Sequence, residues 1–395
     1  MEIRELGADE RSTVSLPIQA YAFQSSPAGD WTAESLRRNQ RYHESDVTLV
    51  AEEDGVAMAD ATAIPMRQNI RGTIHPMAGV AGVATLPLAR RRGFARELVT
   101  ALLARMRDTG HAVSTLYPFR PSFYERFGFV GLPRTRTVTF SPSCFADLLR
   151  ADLPGEVTCE PAAAGYKAYR AFTERMLAEQ HGFSVLPESR TIRMRDEDAR
   201  WVVIAWAGGE AVGAATYRIT GFGGVLAADD MLMASPLGRA LLLQFFARHI
   251  DQVSHVEVQV GAGELPELWA TDLAAVTQAT TSFPASAAPM ARVLSLGSLA
   301  GLPAGAERVT VEVAADPFIG GTYVLDGRSG SLEVTAGPGE APEATLTAAG
   351  LSALVYGVLD PADVIVRGLG DIPADPAVRL RRLFPRQVPY LYARF

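Results

Sequence analysis

Apolar and polar positions along this chain of 395 residues fall into three successive runs of short strands and helices. In the first run, residues 13–41 read as helical with polar interruptions. Residues 48–52 read as a strand, Asp54-Gly55 as a hairpin turn, and 56–65 as the returning strand. The segment GVAGVAT then predicts a buried strand. A basic turn follows it, and ARELVTALLARM continues as an amphipathic helix to about Arg107, closed by Gly110. Residues 112–116 predict a short buried strand. RTRTVTF, at 134–140, alternates like a strand at the edge of the same sheet.

A loop-rich passage with Pro142 and Pro154 predicts a boundary, and the theme then repeats in weaker form. Residues 201–206, 211–219, 224–234 and 255–260 read as strands, with Gly208-Gly209 as a turn and 236–250 as a helix. From about Pro289 the pattern changes again. Short strands are read at ARVLSL, RVTVEVAADP, GTYVLDG, GSLEVTAG and ATLTA, and helices over 348–358 and 376–383. The expected architecture is a mixed α/β (α+β) chain of three domains, 1–140, 141–288 and 289–395. The last residues, VPYLYARF, are too aromatic for an exposed tail and are expected to be tucked in.

Composition adds limits. Hydrophobic residues make up 48% and charged residues 21%, which describes a globular chain with a substantial core. No apolar run is long enough to span a membrane, and the charged N-terminus lacks a signal core, so a cytoplasmic protein without a membrane partner is expected. A net charge of −7 argues against nucleic acid as a partner. Cys144 and Cys159 have no metal spacing and fit reduced thiols. The six histidines (43, 75, 111, 181, 249 and 255) show no ligand spacing either, so no metal is expected.

The chemistry concentrates at residues 78–100. Arg90-Arg91-Arg92-Gly93-Phe94-Ala95 is an R-x-x-G-x-A turn between strand and helix. Gly93 lets backbone approach a ligand, and helix-start amides with the helix dipole favour a pyrophosphate. The arginines add charge, and the alternative reading is a basic helix start on a solvated face. Downstream, Tyr124 lies in FYERFGF. It either packs between Phe123 and Phe127 or donates a proton, and its place beside the basic turn favours the second. Tyr21, Phe23 and Trp31 are read first as core, second as cleft. Asp30 and Glu34 are read first as solvated helix charges, second as cation ligands. In the second run the equivalent turn, Ser235–Ala240, lacks arginines and follows Asp229-Asp230, a pair expected to repel pyrophosphate there.

The segments GVATLPLARRRGFA and FYERFGF and the aromatic C-terminus resemble the enhanced intracellular survival (Eis) family of GNAT acetyltransferases. The resemblance implies tandem GNAT domains, the second degenerate, followed by a sterol-carrier-protein-like domain. It implies an acetyl-CoA-dependent N-acetyltransferase acting on amines, aminoglycosides among them at several positions, and a homohexamer. By the same resemblance, the backbone of Val83, Ala84 and Thr85 would contact the pantetheine arm. Arg91, Arg92, Gly93, Phe94, Ala95 and Arg96 would hold the pyrophosphate. Phe119 and Arg120 would touch the cofactor, although Phe119-Arg120-Pro121 departs from the family's small or polar segment. Tyr124 matches the general acid, and the general base is the terminal carboxylate, here of Phe395.

Acetyl transfer requires a neutral amine, so a base must first remove the ammonium proton. Burial of the tail among Tyr390 and Tyr392 would raise the Phe395 carboxyl and improve it as a base, and a water relay is the alternative. Arg394 would lower the negative charge of the pocket. Two competing readings remain in view. One is a protein lysine, peptide or polyamine acetyltransferase; the other is a CoA-sensing or lipid-carrying scaffold without catalysis.

Overall fold

A computed structural model describes residues 1–24, 33–271, 273–282, 287–337 and 339–395. Asp30 and Trp31 lie outside these, as does the side chain of Glu34. In chain order the first elements are β1 (Glu2–Glu5), α1 (Leu16–Phe23), α2 (Ala33–Tyr42), β2 (Val47–Glu53), β3 (Val56–Ile70) and β4 (Thr73–Thr85). Then come α3 (Phe94–Asp108), β5 (Val113–Leu116), α4 (Pro121–Glu125), β6 (Val130–Gly131) and β7 (Arg136–Phe140). The middle of the chain holds β8 (Glu156–Pro161), α5 (Ala162–Glu179), β9 (Ser184–Val185), α6 (Glu188–Glu197), β10 (Trp201–Ala207), β11 (Glu210–Ile219), β12 (Val225–Met233), α7 (Pro236–Ala247), β13 (His255–Val260) and β14 (Ala275–Gln278). The last part holds β15 (Met290–Val293), β16 (Arg308–Val313), β17 (Gly321–Asp326), β18 (Glu333–Ala336), β19 (Ala344–Leu346), α8 (Ala348–Val355), α9 (Pro361–Val366), β20 (Gly370–Asp371) and α10 (Ala374–Leu383).

Three mixed sheets result. The first runs β1-β2-β3-β4-β5-β15-β6, with β9 added on β3. The second runs β14-β7-β13-β12-β11-β10-β8, and the third β18-β17-β16-β19-β20. Asp54-Gly55 and Gly208-Gly209 carry paired positive φ values, the tight hairpin geometry expected of them. Arg71-Gly72 makes a third such turn, so β3 and β4 extend well beyond the expected hairpin.

Two strands sit where the sequence reading did not put them. RTRTVTF is not an edge strand of the first sheet; β7 lies inside the second, between β14 and β13. ARVLSL, expected in the third sheet, supplies β15, which closes the first sheet between β5 and β6. Alternation fixes which face a strand buries but not which sheet it joins, and here the two sheets exchange neighbours along the chain. Tyr21 and Phe23 are exposed rather than core.

The faces of the first sheet decide the site. Ala59, Ala61, Ala63, Ala78 and Val80 pack with Phe94, Leu98, Leu102 and Tyr124 on the α3 face. Met66, Met77 and the ring of Phe395 belong to the core that continues into the third sheet. Arg292 of β15 is fully buried. It donates to Asp316 at 3.0 and 3.2 Å, to the Val293 carbonyl at 3.0 Å and to the Phe127 carbonyl, tying the corner after α4 to the third sheet.

Candidate active site

The site begins where two strands part. β4 pairs in parallel with β5 from Met77/Val113 to Val80/Leu116, and the ladder stops there. On its other edge β4 stays paired with β3 as far as Thr85. Residues 81–85 thus lie beyond the β5 ladder, Val83, Ala84 and Thr85 among them. The β3 register shifts between Asp60 and Thr62, and Gly82 takes a φ of 58°, so β4 bulges at the point of splitting.

Beyond β4 the chain turns through Arg90-Arg91-Arg92-Gly93. Arg91 has a φ of 63° and Gly93 of 95°, which aims successive backbone amides to one side, an anion-binding concavity. A Cβ placed on Gly93 would meet nothing within 4 Å, so the concavity is open. Arg96 and Glu97 donate the first intrahelical bonds to the Gly93 carbonyl, leaving the amides of Phe94 and Ala95 ahead of the helix's own bonding. The Phe94 ring is in the core, so its contribution here is its N–H. Arg91 is exposed. Arg92 pairs with Glu53 at 2.6 Å, Arg96 with Glu97 at 2.9 Å, and Arg90 donates to the Thr85 carbonyl at 3.2 Å. The geometry fits a pyrophosphate over this turn with a linear arm along the free edge of β4.

Tyr124 is held on the α3 face of the split. Its ring meets Phe123 at 5.0 Å, Phe119 at 5.5 Å and Phe129 at 6.1 Å between centroids, and it is almost fully buried. Its hydroxyl makes no hydrogen bond among the described residues, and burial pushes its pKa above the usual tyrosine value. Phe119 is about half exposed and Arg120 exposed, both just before α4.

The tail approaches the split from the opposite face. Tyr392 stacks on Phe183 at 4.5 Å, and its hydroxyl lies 2.7 Å from that of Tyr169. Tyr117 donates to the Ala393 carbonyl at 3.1 Å, and its ring meets Phe395 edge-on at 5.6 Å. Arg394 donates to Gln259, to the Asp229 carbonyl at 3.1 Å and to Asp230 at 3.4 Å. The aromatic tail is tucked in, as expected, and its last ring sits against β4.

A cleft opens on this face in two lobes of about 500 and about 460 Å³ that share Arg190 and Arg193 of α6. One lobe is lined by Tyr169, Asp229, Asp230, Tyr392 and Arg394, the other by Ser15, Gln19, His43, Thr62, Ala81 and Gly82. The sequence reading assigned no part to α5 or α6, although both wall the cleft. Their charge pattern carries no motif. Asp229 and Asp230 also have a use that reading did not foresee. Asp229 pairs with Arg200 at 2.5 Å, while Asp230 is partly buried near Arg394 and Tyr390, its carboxyl raised to about 7 chiefly by desolvation. At the second sheet's turn, the Ser235 side chain accepts from the Gly238 amide at 3.1 Å. A Cβ on Gly238 would fall 2.0 Å from the Val212 carbonyl, so this turn is packed shut where Gly93 is open.

A sheet split beside an open, arginine-flanked helix start is the architecture of acetyltransferase domains. The acetyltransferase (GNAT) domain family matches residues 2–131, and this part of the chain is a GNAT domain. Three solved structures share the fold over the whole chain. A probable N-acyltransferase from Enterococcus faecalis is 20% identical with a TM-score of 0.84, covering 100% of this chain and 99% of that one. A GNAT acetyltransferase from Kribbella flavida is 20% identical with a TM-score of 0.80, covering 100% and 98%. Eis1 from Mycobacterium abscessus is 19% identical with a TM-score of 0.79, covering 100% of both chains. The chain therefore has the fold that these three structures share, Eis1 among them. Curated protein sequences give no match. Among the described residues no cluster of His, Cys, Asp or Glu could hold a metal, and no helix is long and apolar enough to cross a membrane.

Proposed function

We propose that the chain is an acetyl-CoA-dependent N-acetyltransferase acting on amines. The observation that carries this is the split of β4 from β5, which leads to the open Arg91–Gly93 turn and has Tyr124 on one face and the Phe395 tail on the other. The turn and the amides of Phe94 and Ala95 hold the pyrophosphate, and the free edge of residues 83–85 holds the pantetheine arm. Acetyl-CoA supplies the activated acyl group. The amine enters from the cleft face, and the Phe395 carboxylate takes its proton. The backbone at the Gly82 bulge polarises the carbonyl, and Tyr124, protonated at any working pH, gives a proton to the departing thiolate.

The cleft bears on the acceptor. Its five carboxylates (Asp46, Glu197, Asp198, Asp229, Asp230) are met by six arginines (Arg11, Arg170, Arg190, Arg193, Arg200, Arg394), so the cleft carries no excess of negative charge. A polycation gains little from a cleft without excess negative charge, so amines of low charge, such as a peptide lysine or a small monoamine, rank ahead of aminoglycosides. The test is CoA release, read with a thiol reagent, across aminoglycosides, polyamines, monoamines and lysine peptides, with product masses. Turnover with at least one class is expected, and tight CoA binding without turnover on any amine would overturn the enzymatic reading. The hexamer implied by resemblance stands as a further proposal, read from the mass in light scattering.

A further inference from the structure

One carboxyl group on the cleft face is unused by this scheme. Asp60 lies on β3, opposite Ala84 of β4 and beside the register shift that makes the bulge. It is fully buried. Ser15 ends a wide π turn (Arg11–Ser15) that leads into α1, a local irregularity often found at functional sites. The Ser15 hydroxyl donates to Asp60 Oδ2. Gln19 Nε2 donates to the same oxygen at 2.7 Å and to Ser15 Oγ at 3.1 Å. Both donors converge on Oδ2, and Oδ1 is buried with no such donor among the described residues. Ser15 and Gln19, but not Asp60, line the α1 lobe of the cleft, together with Ala81 and Gly82 of the bulge. Gln19 lies directly over Gly82, where a Cβ would fall 2.6 Å from its Nε2.

We propose that Ser15 and Asp60 form a proton relay that deprotonates amines entering through the α1 lobe. The inference rests on the acetyltransferase reading. An ammonium seated at Ser15 gives its proton to Ser15 Oγ as the Ser15 hydroxyl proton passes to Asp60 Oδ2. The ammonium becomes a neutral amine, the carboxylate becomes a carboxylic acid, and the serine hydroxyl is regenerated. After acetyl transfer the proton returns to water by the reverse path. The tail carboxylate serves the other lobe, where Ala393 and Arg394 form the wall.

The surroundings of Asp60 suit this task. Ser15 and Gln19 reach it from the π turn and α1, and its strand partners are Val50 on β2 and Ala84 on β4. The charged groups of the lobe are engaged elsewhere. Arg11 donates to the carbonyls of His43 and Asp46, Arg190 pairs with Asp46 at 2.5 Å, His43 lies 2.9 Å from Asp46, and Arg193 pairs with Glu197 at 2.9 Å. Burial, against the bonds from Ser15, Gln19 and its own backbone amide, lifts the carboxyl to about 7. A base with that value matches proton transfer near neutral pH.

The test is the pH profile of kcat and kcat/KM for native protein, Asp60→Asn, Ser15→Ala, Ser15→Thr and a chain lacking Phe395, with acetyl-CoA affinity by calorimetry as the check on folding. Expected are an acidic limb near pH 7 in the native protein, loss of that limb and about a hundredfold lower kcat in Asp60→Asn and Ser15→Ala, and recovery in Ser15→Thr. Acetyl-CoA affinity should stay within twofold in all of them. An unchanged limb and full kcat in Asp60→Asn, or a limb lost only on removing Phe395, overturns the relay alone. Absence of turnover by native protein at every pH overturns the acetyltransferase reading first, and the relay with it.

Discussion

The ring of Phe395 occupies the space that a side chain at Gly79 would need. A Cβ at residue 79 would fall 3.0 Å from Phe395 Cε2, 3.1 Å from Cζ and 2.6 Å from Met66 Sδ. Gly79 is three residues before Gly82, where β4 bulges, and pairs with Thr115 just before the β4–β5 ladder ends. The missing side chain is what lets the chain terminus reach the split. Gly79→Ala should displace the tail and lower kcat by about ten- to a hundredfold while leaving acetyl-CoA affinity unchanged. Steady-state kinetics with calorimetry check it; a full kcat would separate the tail from catalysis.

Tyr124 is nearly buried, protonated and without a hydrogen bond from its hydroxyl among the described residues, so that hydroxyl has one use within the proposed reaction. Tyr124→Phe keeps the ring contacts with Phe119, Phe123 and Phe129 and removes only the donor. Turnover should fall about a hundredfold with the melting temperature and acetyl-CoA affinity preserved. Native turnover in this variant would leave Tyr124 as packing.

Arg91 stands exposed on the open turn, whereas Arg92 and Arg96 are engaged with Glu53 and Glu97. Arg91→Ala should weaken acetyl-CoA binding by about 1.5 kcal/mol, about tenfold, with kcat at saturation unchanged. Glu53→Gln, which releases Arg92, should tighten binding, more so at low salt. Calorimetric titrations at two ionic strengths decide both.

Asp60 links stability to pH. Its folded carboxyl titrates near 7 and its unfolded one near 4, so the folded state holds the proton more tightly. This contribution is complete below about pH 4, falls as pH rises, and is gone above about 7. The span corresponds to about 4 kcal/mol. Asp60→Asn lacks the slope, so its melting temperature relative to native protein should climb between pH 4 and 7 and then level off. A constant difference across that range would show that Asp60 ionises normally in the fold.

The guanidinium of Arg292 is fully buried and balanced by Asp316. Asp316→Asn should cost about 3–5 kcal/mol, because it strands a buried cation. The corner at Phe127 and Gly128 loosens with it, so turnover should drop alongside stability. Denaturant unfolding and kinetics on the same samples test this; an unchanged midpoint would show that the pair is dispensable.

Local chemistry was legible in the sequence. The Arg90–Ala95 turn, the Asp54-Gly55 and Gly208-Gly209 hairpins and the start of α3 depend on residues within a few positions of one another. Gly93 must take a positive φ wherever that turn is placed, and the apolar spacing of α3 buries one side in any context. The aromatic tail also announced its burial by composition, because four large aromatic or aliphatic side chains among the six residues 390–395 do not stay in water.

Tertiary structure alone decided what these pieces meet. Strand alternation is indifferent to the choice of sheet, so only long-range pairing could put β7 in the second sheet and β15 in the first. Asp229 and Asp230 look like a repulsive pair in sequence. They become cleft residues because Arg200 and the distant Arg394 fold over them. Asp60 carries no motif at all, since its properties come from burial and from two donors, on the π turn and on α1, more than forty residues earlier. The sequence by itself determined the turn, the helix and the aromatic terminus, because their causes are local. The cleft, its charge balance and the Ser15–Asp60 pair arise from contacts that exist only once distant segments are packed together.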